Sequence, residues 1–106
     1  MKFQLRFFKT KQEKIPFIEW LEGLDKKTQA RIRNRLVRME NGNFGDSKGI
    51  KQGLYELRLF FGSGYRIYYG VLNNKVVLLI SGGDKNTQTK DIDNALTQWK
   101  TYKKEH

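Results

Sequence analysis

Arg58, Arg66 and Tyr68 stand out because of where they fall. They occupy like-parity positions in two adjacent segments that read as strands, LYELRLFF over 54–61 and YRIYYGVL over 65–72. An arginine presents a rigid fork of donors that matches a phosphate, and a tyrosine presents a stacking plane and a weak acid. Together they can hold an RNA phosphate and stack a base. They can also stabilise the pentacoordinate transition state formed when a ribose 2′-OH attacks the adjacent phosphate. That reaction asks for in-line positioning and charge neutralisation rather than a metal. Lys85, just after the next strand, adds a cation near Arg66. The alternative is structural: Glu56 and Arg58 form a cross-strand ion-pair ladder with Tyr68 packed over it.

Composition narrows the chemistry. The chain has 106 residues, of which 38% are hydrophobic and 13% aromatic, which suits a single domain over 1–106 with one core. Lys and Arg number 21 against 11 Asp and Glu, a net charge of +10 that points to a polyanionic partner. With no cysteine, a disulfide scaffold, a Cys-ligated zinc site and a thiol nucleophile are excluded. The one histidine, His106, is the last residue, which argues against His-centred metal sites and triads, and no cofactor is implied. No segment approaches the ~18 apolar residues of a membrane-spanning helix. Charges interrupt the N-terminal apolar residues, so no signal peptide is expected and a reducing cytoplasmic setting is the default.

The elements that must position these residues follow from periodicity. FQLRFF (3–8) alternates as a half-buried strand. Pro16 opens a short helix carrying Phe17, Trp20, Leu21 and Leu24, with Gly23 as a stop. Asp25 caps a second helix to about Glu40, with Ile32, Leu36 and Met39 on one face. Lys27, Arg31, Arg35 and Arg38 form a stripe on it about 80° wide. That stripe suits a solvated face, an acidic partner segment or an RNA backbone equally. Residues 44–53 read as a loop. Strands 54–61, 65–72 and 75–80 follow, joined by a turn at 62–64 and a two-residue turn at Asn73-Asn74. Ile92, Ala95, Leu96 and Trp99 mark a final helix over about 88–103. The order implies an α+β domain: a strand and helical hairpin, then an antiparallel β-meander and a C-terminal helix.

Pairing Phe61 with Tyr65 and Val71 with Val76 predicts a core face of Tyr55, Leu57, Leu59, Ile67, Tyr69, Leu78 and Ile80. The other face then carries Glu56, Arg66, Val77, Leu79 and Ser81, with Arg58 directly across from Tyr68.

Three runs carry a family resemblance: Gly53-Leu54-Tyr55-Glu56-Leu57-Arg58, Gly64-Tyr65-Arg66-Ile67-Tyr68-Tyr69 and Leu79-Ile80-Ser81-Gly82-Gly83-Asp84-Lys85-Asn86-Thr87-Gln88, followed by Asp91-Ile92 and Ala95. In this order and spacing the sequence resembles the RelE/ParE superfamily of type II toxins, nearest to the HigB-like, phage-derived addiction module killer group. The resemblance implies a RelE-like fold and a ribosome-dependent endoribonuclease that cleaves mRNA without metal and so inhibits translation. It also implies a cognate antitoxin encoded alongside, expected to be a helix-turn-helix protein. It places Arg66 against phosphate in the active cleft, with Lys85 and Arg58 beside it. Lys48 and Lys51 lie near a region that supplies lysines in some members, and with Arg31, Arg35 and Arg38 they are the candidate RNA contacts. Members that use a C-terminal tyrosine as general acid differ from this chain, which has no Tyr between Lys85 and Tyr102. Lys85, Asp84 and Tyr68 therefore stand as alternative proton-transfer groups. Two other functions fit the same residues: a ParE-like toxin that blocks DNA gyrase by binding it, and a non-catalytic nucleic-acid-binding module.

Overall fold

The computed structural model describes residues 2–106. Strand β1 is Gln4–Phe7. Helix α1, Pro16–Glu22, begins at its proline and ends at Gly23, which stays in right-handed backbone at φ −78. Helix α2, Lys26–Glu40, is capped by Asp25, whose carboxylate accepts from the Thr28 backbone N–H at 3.2 Å and its hydroxyl at 2.6 Å. Strands β2 (Ser47–Lys51), β3 (Leu54–Arg58), β4 (Arg66–Leu72) and β5 (Val76–Gly83) follow. A single 3-10 turn, Lys85–Thr87, leads into α3, Gln88–Glu105.

The sheet has five strands in the order β1-β5-β4-β3-β2. It is mixed: β1 runs parallel to β5 and the other neighbours are antiparallel. The segment expected as a loop over 44–53 contains β2, an edge strand that pairs Ser47, Lys48 and Gly49 with Leu57, Glu56 and Tyr55. Its SKGIK sequence has no apolar alternation to mark it, because a bulged edge strand is held mainly by backbone hydrogen bonds. The available signal was the turn that follows. Gln52 (φ 54) and Gly53 (φ 88) are both left-handed, as a tight hairpin requires.

Two registers differ from the expected ones. Leu59 donates to the Tyr65 carbonyl at 2.9 Å, so the connection between β3 and β4 is longer than three residues. Arg58 therefore pairs with Arg66, and Glu56 with Tyr68. A two-residue shift leaves each side chain on its expected face. The next hairpin shifts by one. Asn73 and Asn74 are left-handed as expected, but Lys75 stays in the turn and Leu72 pairs with Val76. A one-residue shift exchanges faces. Val77 and Leu79 join Ile67 and Tyr69, while Leu78 and Ile80 lie with Tyr68 on the other side. A bulge at Tyr68/Tyr69 then brings Ser81 opposite Tyr68.

Both faces of the sheet are covered. Phe17 and Leu21 of α1 and Ile32 and Met39 of α2 bury Leu57, Ile67, Tyr69, Val77 and Leu79. Ala95 and Trp99 of α3 bury Leu54, Tyr68, Leu78 and Ile80, so the face read as less apolar carries a second core. Two glycines let tryptophans lie on the sheet. A Cβ on Gly82 would enter the Trp20 ring, and one on Gly70 the Trp99 ring. Among the described residues no helix is long and apolar enough to cross a membrane.

Candidate functional site

Glu56 is the one fully buried charged residue among those described. Burying a carboxylate is costly unless charge and hydrogen bonds compensate it. Here both oxygens are taken. Arg66 Nη1 donates to Oε1 at 3.2 Å, and Gln88 Nε2 donates to Oε2 at 2.9 Å. The ladder places Glu56 beside Tyr68 on β4, and α3 begins at Gln88, so strand pairing and a helix start together build this network.

Arg66, which the resemblance sets against phosphate in an active cleft, is mostly covered here rather than standing free. Its side chain is 12% exposed, and its Nε is buried without a hydrogen-bond partner. Arg58, directly opposite, is the more open one: its side chain is 41% exposed, although its Nε, 3.2 Å from Asp46 Oδ2, is buried as well. Two guanidiniums facing each other across a ladder repel. Each is compensated by its own carboxylate, Glu56 for Arg66 and Asp46 for Arg58.

Tyr68 shares the face but not the access. It is fully buried, and its hydroxyl has no hydrogen-bond partner. Burial, and then the neighbouring Glu56 charge, push its pKa well above the ordinary value of 10.0. It is therefore a core residue with a hydroxyl held neutral.

Lys85 is exposed at the start of the 3-10 turn. A Cβ on Gly64 would lie 3.4 Å from the Lys85 Cβ, so the turn touches the loop that leads into β4 and Arg66. Asp84 is occupied as a cap. It accepts from the Asn86 N–H at 2.8 Å, and Ser63 Oγ lies 3.5 Å from its other oxygen. A shallow groove of about 620 Å³ runs along the start of α3, lined by Lys85, Gln88 and Lys90 among others. Gln88 thus touches both the groove and the carboxylate that holds Arg66. Gln88 and the buried state of Glu56 are what the sequence reading missed. The available signal was an acidic residue at an inward position of an otherwise apolar strand.

The remaining candidates divide between the two sides of the sheet. Lys48 is exposed on β2, paired with Glu56. Lys51 is exposed at the far end of β2, by the hairpin turn. Arg31, Arg35 and Arg38 belong to α2, whose core residues pack on the opposite face from Glu56 and Tyr68. Arg31 stacks over the Phe61 ring at 3.9 Å, and Arg35 and Arg38 line a small cavity with Phe44.

Comparison with known proteins places this architecture. Residues 19–106 match the family described as "Phage derived protein Gp49-like (DUF891)". Over 82 residues the chain is 44% identical to a Haemophilus influenzae protein described as an uncharacterized protein, covering 76% of this chain and 83% of that one. The solved structure of the Escherichia coli toxin RelE, a double arginine-to-alanine mutant in the free state, superposes with a TM-score of 0.64. It is 20% identical and covers 90% of this chain and 94% of its own, a likeness of fold.

Proposed function

This chain belongs to the phage-derived Gp49-like family and has the fold of RelE, and from that premise we propose that it is the toxin of a toxin–antitoxin pair which cuts mRNA on the ribosome. The observation that supports this reading is the facing pair Arg58 and Arg66, one more open and one braced, with Lys85 exposed on the turn that touches the loop leading into β4. An RNA strand laid along the groove at the start of α3 meets Lys85 and Lys90 there, and Gln88 links the groove wall to the carboxylate that holds Arg66.

The proposed chemistry is attack of a ribose 2′-OH on the adjacent phosphorus. The new O2′–P bond forms as the P–O5′ bond breaks, leaving a 2′,3′-cyclic phosphate and a 5′-hydroxyl. Arg58 neutralises the charge that builds on the phosphoryl oxygens. Arg66, held by Glu56, acts from a fixed position and needs little reorganisation. Lys85 supplies the proton to the departing 5′ oxygen, since Asp84 is committed to its cap and Tyr68 is enclosed. The 2′-OH proton passes to solvent. The partners are the ribosome with its mRNA and a cognate antitoxin, and the setting is the cytoplasm.

Primer extension on an mRNA after brief induction tests the reading. Wild type is expected to produce discrete cuts that Arg58→Ala abolishes while remaining folded. Growth arrest without cuts, together with blocked DNA supercoiling, would replace it with gyrase inhibition. RNA binding with no arrest would replace it with a binding module.

A further inference from the structure

The side of the sheet away from Glu56 and Arg66 carries an apolar trough of about 300 Å³, at the lower end of the range for ligand pockets. Phe3, Phe44, Tyr55, Tyr69 and Val71 line it. Three of these rings form a near-parallel row. Phe44 stacks on Tyr69 at 5.8 Å and 12°, and Tyr69 on Tyr55 at 5.5 Å and 18°. Phe3 meets Phe44 edge-on at 5.1 Å. Tyr69, in the middle of the row, has a ring stacked against each face, and Val71 adds an aliphatic side chain to the wall. That suits an aliphatic or aromatic side chain better than a nucleobase, which needs an open ring face. Two hydroxyls of the wall are already satisfied: Tyr69 donates to Ser47 Oγ at 2.7 Å, and Ser47 donates to the Phe44 carbonyl at 2.6 Å, while Asn74 adds an amide at the rim. An apolar guest therefore breaks neither of those two bonds.

Phe44 also walls a second, smaller cavity of about 90 Å³ with Arg35 and Arg38. The ion pairs among the described residues are Lys9–Glu13, Arg58–Asp46 and Arg66–Glu56, so neither Arg35 nor Arg38 has a carboxylate partner. The apolar trough thus shares its Phe44 wall with a niche lined by two guanidiniums outside these ion pairs, in a chain of net charge +10.

We propose that these two neighbouring features, the trough at Tyr55 and Phe44 and the niche at Arg35 and Arg38, are the docking site for an acidic segment of a protein partner that inserts a large apolar side chain into the trough. The inference rests on the toxin reading, in which that partner is the cognate antitoxin. It puts the antitoxin on the α2 side of the sheet, across from the cutting groove.

The test is co-expression with the product of the reading frame beside this gene, followed by amide hydrogen exchange on the complex and on the free chain. Slowed exchange over residues 43–49 and 54–57 is expected, with the start of α3 unchanged. Tyr55→Ala and the double variant Arg35→Glu/Arg38→Glu are each expected to weaken the complex at least tenfold, and Lys100→Glu on α3 not at all. Circular dichroism verifies that all variants are folded. Slowed exchange confined to the α3 groove, or unchanged affinity in both trough variants, overturns the docking site while mRNA cutting leaves the toxin reading intact. Protection of the trough by a single-stranded oligoribonucleotide, or a self-dimer dissolved by the same variants, also overturns it. A chain that neither cuts mRNA nor captures the neighbouring product removes both.

Discussion

Arg66 donates through Nη1 to Oε1 of Glu56 at 3.2 Å, from one strand to the next and beneath the start of α3. The pair joins the fold to the proposed chemistry, and it complicates the obvious experiment. Arg66→Ala leaves a fully buried carboxylate without its cation, which is expected to cost about 3–5 kcal/mol. Urea unfolding should show this, and lost activity in that variant is then ambiguous. Replacing both partners, Glu56→Gln with Arg66→Gln, is expected to recover much of the stability and none of the cutting.

Arg58 offers the cleaner test. Its ion pair with Asp46 is on the surface, so Arg58→Ala is expected to cost no more than about 1 kcal/mol. If it meets the charge that develops in the transition state, cutting should fall by about 10²–10³-fold. Single-turnover cleavage on programmed ribosomes measures this. Arg58→Lys should recover only part, because an ammonium lacks the two-pronged fork.

The two glycines under the tryptophans and Gly23 predict effects of opposite sign. Gly70→Ala drives a methyl into Trp99 and Gly82→Ala one into Trp20, and each is expected to destabilise by about 1–3 kcal/mol. At Gly23 the nearest atoms to an added Cβ are 3.5 Å away and the backbone is right-handed. Gly23→Ala is therefore expected to stabilise by about 0.4–1 kcal/mol through the unfolded chain. Thermal unfolding of the three variants gives the comparison.

Stability should depend on pH at both extremes. Folding holds the Tyr68 hydroxyl neutral well above its ordinary pKa of 10.0, while the unfolded chain ionises it at that value. The contribution is whole below pH 10 and declines as pH rises beyond it. Urea midpoints at pH 8 and about 10.5 should show the decline, and Tyr68→Phe should reduce it. At the acid end the Thr28 hydroxyl and N–H hold the Asp25 carboxyl below its ordinary 3.8. Its cap persists above that pH and fades as pH falls through the lowered value, so Asp25→Ala and wild type should converge in acid.

Much was legible in the residues because local rules governed it. Pro16 and Asp25 mark helix starts, since a missing N–H and a capping carboxylate act within one turn of chain. The alternation in β3 and β4 put Glu56, Arg58, Arg66 and Tyr68 on one face, and that grouping survived a register shift because the shift was even. Distant contacts decided the rest. One extra turn residue, Lys75, exchanged the faces of Leu78 and Leu79, and neither side chain carries a preference that reveals it. The β1–β5 pairing is parallel and joins the first strand to the last. Above all, α3 closing over Tyr68 made Glu56 a buried carboxylate, and thereby made Arg66 a braced cation and Arg58 the open one. Charge type is written in the residue. Whether that charge meets water, a partner or a substrate depends on which element lies above it, and that is set only when the whole chain has packed.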